Sequence, residues 1–140
     1  MATSTTGQPA ETEQVEALPL DIPTMRATAR RLLAADAGEP AADEVPVLLS
    51  TLRGHLELIV PVVERCAAFK PDDDQRWMAP VNCAIIAAAD TRRAMSAEIH
   101  PGADAAVRHA RRLARRLNAM CDHFETLISD PIGPDDGSSR

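Results

Sequence analysis

The stretch from Ala103 to Ile128, ADAAVRHARRLARRLNAMCDHFETLI, decides the fold. Its apolar residues recur every three or four positions, the spacing that places side chains on one face of an α-helix. The predicted apolar face consists of Ala106, Ala110, Leu113, Leu117, Met120, Cys121, Phe124 and Ile128. Such a helix has to bury this face against other elements, so the stretch predicts a packed α-helical domain.

Five arginines occupy the opposite side of this helix and are called the arginine face: Arg108, Arg111, Arg112, Arg115 and Arg116. On a helical wheel they fall within an arc of about 140°. Many of them stand three or four positions apart, where like charges repel by about 0.2–0.5 kcal/mol a pair. The sequence therefore predicts that something outside the helix compensates these charges.

Two interpretations of the arginine face remain open. Residues 103–128 carry a net charge of +2 in a chain of −6, so the remainder carries −8 and could neutralise the arginines internally. The acidic candidates are Asp72, Asp73, Asp74, Glu57 and Glu64. Alternatively the face docks an acidic protein segment or peptide, because arginine forms forked hydrogen bonds to carboxylate and phosphate. Nucleic acid is disfavoured by the negative net charge.

Three further helices are predicted before Ala103. The first spans about Ile22 to Asp36 and is capped by Asp21, whose side chain can accept a backbone N–H. The second spans about Val45 to Phe69, with a kink expected at Pro61. Its apolar face is about 200° wide, which predicts a central position. The face consists of Val45, Leu48, Leu49, Leu52, Leu56, Leu58, Ile59, Val62, Val63, Cys66 and Phe69.

The third predicted helix spans about Asp73 to Ile99, and Pro80 is expected to split off its first turn. Its predicted core stripe consists of Trp77, Val81, Ala84, Ile85, Ala88, Met95 and Ile99. The short break from His100 to Gly102 predicts an antiparallel hairpin with the last helix.

The composition supports an all-α, four-helix bundle-like single domain over residues 19–129. The chain has 25 alanines and no tyrosine, a balance that favours helix over strand. Residues 1–18 and 130–140 are polar and predict disordered ends. We expect a cytoplasmic protein with reduced thiols at its three cysteines, because no signal peptide or membrane-spanning run is evident.

A candidate pocket lies between the second and third helices, around His55, Arg92 and Trp77. His55 falls within the wide apolar face, where a histidine is either a hydrogen-bonded core residue or a base with a shifted pKa. Arg92 stands at the edge of the third helix's apolar stripe. There it either extends its stem over that stripe or forms a buried pair with Glu57 or Glu64.

No motif for catalysis, metal binding or a cofactor is present. The chain lacks HExxH, GxSxG, a phosphate-binding glycine loop and a dinucleotide fingerprint. Cys121 and His123 point in different directions on one helix and cannot chelate one metal from the same turn. The sequence therefore predicts no catalytic residue, no metal ligand and no cofactor. Ile86 and Ala89 form a small apolar patch that could serve a homodimer.

Three stretches carry a family resemblance: DIPTMRATARRLLAAD, LRGHLELIVPVVE and ARRLARRLNAMCDHFETL. Over roughly residues 20–128 the chain resembles a family of small actinobacterial proteins described as natural product biosynthesis proteins of unknown function. The resemblance implies association with biosynthetic gene clusters and supplies no catalytic residues.

The function predicted from the sequence is that of a non-enzymatic accessory protein that docks an acidic partner on the arginine face. One alternative is a small enzyme or small-molecule binder with its site at the candidate pocket. A second alternative is a transcriptional regulator.

Overall fold

The computed structural model describes residues 20–129, which fold into four α-helices and contain no strand. These are α1 (Ile22–Leu33), α2 (Glu44–Ala68), α3 (Met78–Ser96) and α4 (Ala103–Ile128), with a 3₁₀ turn at Gln75–Trp77. The predicted all-α, bundle-like fold is confirmed. The predicted disordered ends, residues 1–18 and 130–140, lie outside the described residues.

The helix ends follow from local capping. Asp21 Oδ1 accepts the backbone N–H of Thr24 at 3.2 Å and caps α1, as predicted. The helix ends at Leu33, earlier than the predicted Asp36, because Ala34 already adopts an extended backbone. The third predicted helix is divided as expected from Pro80, and its first turn forms the separate 3₁₀ segment.

The core lies between α2 and α4, each of which packs against all three other helices. The bounds predicted for α4 are confirmed at both ends. Its core face is rotated slightly from the prediction: Ile128 is exposed, whereas Val107, Ala114 and Leu127 are buried. The predicted residues Ala110, Leu113, Leu117, Met120 and Cys121 are fully buried.

The predicted wide apolar face of α2 is wrong in part. Leu58 and Phe69 are 61% and 71% exposed, while Val60 and Ala67 are buried in their place. The buried arc is narrower than predicted, because Leu58 lies on the flank of α2 turned away from the fully buried Leu52, Leu56 and Ile59. The helix continues through Pro61 without interruption.

Small residues form the buried face of α3, which confirms the predicted stripe at Ala84 and Ala88 and contradicts it at Ile85 and Ile99. Ala84, Ala88, Thr91 and Ala94 are buried, whereas Ile85 and Ile99 are exposed. Small side chains let neighbouring helices approach closely, and the Thr91 hydroxyl donates to the Ala87 carbonyl at 2.8 Å. The hydroxyl is therefore satisfied inside the helix, and Thr91 packs as a small core residue.

One helix of the described residues, α2, is long and apolar enough on average to cross a membrane. Core helices often have the same length and composition. In this fold Leu52, Leu56 and Ile59 of α2 are fully buried against the other helices.

Candidate functional site

The arginine face lies along the N-terminal half of α4. Arg108, Arg112 and Arg115 are exposed, and Arg111 and Arg116 flank them half-buried. From Arg108 to Arg116 the face extends roughly 12 Å along the helix axis, at 1.5 Å per residue. The positive end of the helix dipole lies at the same end of α4 and adds to this field.

Arg111 is the one member of the arginine face with a partner among residues 20–129. Its Nη2 donates to Glu39 Oε1 at 3.1 Å, and its Nε donates to the Leu32 carbonyl at 3.3 Å. The side chain thereby ties α4 to the end of α1 and to the α1–α2 connection. The prediction of internal neutralisation therefore holds for Arg111 alone, and its acidic partner is Glu39, which was not among the predicted candidates.

The other four members are called the unpaired arginines: Arg108, Arg112, Arg115 and Arg116. Within residues 20–129 none of them forms a salt bridge within 4.0 Å or a side-chain hydrogen bond. The predicted acidic partners do not reach them. Glu64 binds Arg92 instead, and Asp74 binds Arg76. Neutralisation of the whole face by Asp72–Asp74, Glu57 and Glu64 is therefore a wrong prediction for the described part of the chain.

The basic residues outside α4 behave differently. Of the nine in residues 20–129, seven contact a carboxylate, a carbonyl or an aromatic ring: Arg26, Arg31, Arg53, Lys70, Arg76, Arg92 and Arg93. Arg31, for example, forms a forked pair with Glu44 at 2.7 and 3.0 Å. Its hydrogen bonds lower the pKa of the Glu44 carboxyl. Within residues 20–129 the unpaired arginines thus differ from most other basic residues, which contact a partner.

The same helix carries acidic residues in its C-terminal half, and these are paired. Arg26 Nη2 of α1 donates to Asp122 Oδ1 at 2.7 Å and to Glu125 Oε1 at 2.8 Å. The hydrogen bond to Asp122 is the main cause of the raised pKa of Arg26. Over residues 20–129 the chain has 14 basic and 15 acidic residues and is nearly neutral. The positive charge of the arginine face therefore results from the clustering of arginines on one part of α4.

A cleft opens beside the first turns of α4 and is called the α4 cleft. Its free volume is about 500 Å³, including space open to solvent. Its lining residues are Glu98, Ile99, His100, Ala105, Arg108, His109 and Arg112. His109 is only 7% exposed, and its Nε2 is buried without a hydrogen-bond partner among the described residues. Burial, and then the cations Arg53 and Arg112, lower the pKa of His109.

Sequence analysis did not single out His109 as a site residue. A signal existed, because residues 105, 108, 109 and 112 share one side of a helix that begins just after Gly102. On the wheel His109 falls at the border between the arginine face and the apolar face. A histidine at such a border is half enclosed by neighbouring elements, and the sequence does not show which ones.

The three residues of the candidate pocket, His55, Arg92 and Trp77, each contact a different partner. His55 Nε2 lies 3.2 Å from Thr28 Oγ1 of α1, and burial lowers the pKa of His55. Arg92 pairs with Glu64 at 2.6 and 3.0 Å on the surface between α2 and α3. Trp77 is buried at the start of α3, with Lys70 Nζ 4.0 Å above its ring. Arg92 is therefore the surface partner of Glu64, not half of a buried pair.

The described residues hold no constellation for metal binding. Within residues 20–129 no three histidine, cysteine or acidic side chains lie close enough to hold one ion. Within residues 20–129 the three cysteines, Cys66, Cys83 and Cys121, form no disulfide. Burial raises the pKa of the Cys121 thiol to about 11. Because the thiolate is the nucleophilic form, this raised pKa favours the less reactive thiol form of Cys121 at neutral pH.

Fold and surface together define a small helical bundle with a basic surface that is unpaired within residues 20–129. The chain belongs to a protein family described as a family of unknown function (DUF6415), which matches residues 23–128. The comparison with curated proteins gave no match, and neither did the comparison with solved structures.

Proposed function

We propose that this protein is a non-enzymatic interaction protein that docks an acidic protein segment or peptide on the unpaired arginines. The observation that carries the proposal is the contrast in pairing. Four of five arginines on the face have no partner within residues 20–129, whereas seven of the nine basic residues elsewhere in that range have one. Arg111 is excluded from the docking set because Glu39 and the Leu32 carbonyl occupy its guanidinium.

A short acidic run fits the dimensions of this surface. An extended peptide advances about 3.3 Å per residue, so roughly four residues span the roughly 12 Å from Arg108 to Arg116. Forked hydrogen bonds from guanidinium to carboxylate would fix the orientation of such a run. Because the contacts lie on the surface, we expect binding to weaken as salt is added.

The resemblance to natural product biosynthesis proteins suggests the setting. In a biosynthetic gene cluster the acidic partner would be a segment of a biosynthetic enzyme or of its peptide substrate. This part of the proposal rests on the resemblance alone, and the pairing contrast supports only the acidic character of the partner.

The test uses a fluorescein-labelled peptide with four consecutive glutamates, followed by fluorescence anisotropy. We expect Arg112→Glu/Arg115→Glu to weaken binding at least tenfold without lowering the melting temperature. The matched control is Arg65→Glu/Arg93→Glu, which makes the same change in net charge on α2 and α3 and should alter affinity less than twofold.

Three outcomes would contradict the proposal. Equal weakening by both double variants would mean that the peptide responds to net charge only. A melting temperature that falls together with affinity would mean that the arginines serve the fold, for example by binding acidic residues of the chain's own ends. Tighter binding of a DNA duplex than of the peptide, with a steep salt dependence, would favour the transcriptional regulator instead.

A further inference from the structure

The outward side of α2 carries an apolar face along nearly the whole helix. It is called the α2 outer face and consists of seven residues at spacings of three and four: Val47, Thr51, Gly54, Leu58, Val62, Arg65 and Phe69. On a helical wheel they fall within an arc of about 80°, opposite the buried Leu56, Val60 and Val63. From Val47 to the C-cap residue Phe69 the face extends roughly 33 Å.

The α2 outer face is exposed and nearly free of charge. Val47, Leu58 and Phe69 are 64%, 61% and 71% exposed within residues 20–129. The Thr51 hydroxyl donates to the Val47 carbonyl at 2.8 Å, so this polar group is satisfied inside the helix. Arg65 is the one charged member of the face. Contiguous exposed apolar patches of this length commonly mark interaction surfaces.

Gly54 is the observation that points to close contact from outside. Glycine in a helix interior is less favourable than alanine, because it loses more backbone freedom on folding. A Cβ atom at Gly54 would meet no atom within 4 Å among the described residues, so packing in this part of the chain does not require a glycine. The distance between packed helices depends on the side chains at their contact. A glycine on an outward face therefore suits the close approach of a second helix.

The spacing of the α2 outer face is symmetric about Leu58. The intervals from Val47 to Phe69 are four, three, four, four, three and four residues, and they read the same in both directions. A two-fold dimer uses the same patch on both copies, so the patch has to be complementary to itself. In an antiparallel pair Leu58 would meet the partner's Leu58. Gly54 would face the partner's Val62, and Val47 would face the partner's Phe69, so that the smaller residue stands opposite the larger one.

We propose that the occupant of the α2 outer face is a second copy of this chain, packed antiparallel about a two-fold axis at Leu58. Charge supports the antiparallel order. It would place Arg65 opposite the partner's Thr51 and set the two Arg65 positions roughly 21 Å apart along the helices, whereas a parallel pair would bring them together. The acidic Glu57 and Glu64 lie about 100° and 120° from Leu58 on the wheel, outside the contact arc.

The size of the face predicts a reversible dimer. With helix axes about 10 Å apart, the flat footprint on each copy is roughly 330 Å², and the accessible area of its ridged side chains is somewhat larger. Stable interfaces bury about 800 Å² on each partner. We therefore expect a monomer–dimer equilibrium with a Kd in the micromolar range or weaker.

The experiment measures self-association of the full chain by sedimentation equilibrium, from about 1 µM to about 1 mM. Leu58→Glu should weaken dimerisation at least tenfold, because two like charges would meet at the two-fold axis. Ile86→Glu is the matched control, because Ile86 is 62% exposed and lies on α3, outside the α2 outer face. This substitution should alter the Kd of the dimer less than twofold.

Two further positions test the close contact and the register. Gly54→Leu should weaken dimerisation at least tenfold, while the higher helix propensity of leucine maintains or raises the melting temperature of the dilute monomer. Thr51→Glu would face the partner's Arg65. It should therefore dimerise about tenfold more tightly than Thr51→Lys, because two contacts in each dimer change from repulsion to attraction.

The inference goes beyond the proposed function and uses none of the unpaired arginines, so either can fail while the other holds. A chain that stays monomeric up to about 1 mM would overturn the dimer. Equal weakening by Leu58→Glu and Ile86→Glu, or equal Kd values for Thr51→Glu and Thr51→Lys, would overturn the assigned face or its register. Binding of the monomer to phosphatidylcholine vesicles that Leu58→Glu abolishes would assign the face to a lipid surface instead. A melting temperature of the dilute monomer lowered by Leu58→Glu would assign it to the chain's own ends.

Discussion

The two halves of α4 share one core face and differ in what their outward charges do. In the C-terminal half, Asp122 and Glu125 both accept hydrogen bonds from Arg26. In the N-terminal half, four arginines have no partner within residues 20–129, although the described chain is nearly neutral overall. Like charges three or four positions apart destabilise a helix, so the N-terminal arrangement has a cost for folding. The difference separates a half whose charges pair with α1 from a half whose charges, apart from Arg111, have no partner within residues 20–129.

The largest effect should come from the face that the two halves share. Leu113→Ala in the N-terminal half and Leu127→Ala in the C-terminal half should each lower the free energy of unfolding by about 2–5 kcal/mol. Both side chains are buried among the core residues, and truncation leaves a cavity. Ile128→Ala is the control, because Ile128 is exposed and should change stability by less than about 0.5 kcal/mol. Denaturant unfolding measures all three, and a small loss at Leu113 would contradict the common core face.

A smaller effect should mark the paired half. Arg26→Gln removes both hydrogen bonds to Asp122 and Glu125, and we expect a loss of up to about 1 kcal/mol because the carboxylates are largely exposed. The loss should shrink at high salt, where surface ion pairs are screened. If Arg26→Gln left the free energy of unfolding unchanged at low salt, the charges of the C-terminal half would not stabilise the fold, and the two halves would not differ in this respect.

The smallest effect concerns pH. Burial lowers the pKa of His109 and of His55 below their ordinary 6.5, so the unfolded chain binds more protons than the folded one near that pH. Stability from these groups is fully present above about pH 6.5 and is lost as pH falls through their folded pKa values. Arg53 and Arg112 act on His109 electrostatically, and Glu98, His100 and Arg108 line the same cleft. Unfolding measured from pH 7.5 to 5.5 should show this decline, and His109→Gln should reduce its slope. An unchanged slope would contradict a buried neutral His109.

The sequence predicted much of the fold, because its signals are local. Gly102 before α4 and Pro131 after it bracket a strongly amphipathic stretch, and both ends were predicted to the residue. The face of α3 was predicted only in part: Ala84 and Ala88 are buried as predicted, but Ile85 and Ile99 were assigned to the core and the smaller Thr91 and Ala94 were not. Periodicity that gives most weight to large side chains misplaces part of a face when close approach of small residues determines packing.

The site could be predicted only in outline for a related reason. A helical wheel shows that the arginines share a face, but their partners depend on which distant segment lies beside them. Glu39 reaches Arg111 across 72 positions, and Arg26 reaches Asp122 across 96. Neither pair has a local signature. The surroundings of His109 likewise come from distant segments, because residues 98–100 line the same cleft and the Arg53 cation of α2 helps to lower its pKa.

The most direct test of the central claim is the free energy of unfolding of Arg112→Gln/Arg115→Gln in the full chain. Glutamine has a helix propensity close to that of arginine, so the change isolates the charges. If the arginines are unpaired, the variant removes repulsion and should be more stable by about 1 kcal/mol at low salt, with the gain lost at high salt. A loss of stability of about 1 kcal/mol would show that the arginines are paired within the chain and would contradict the account.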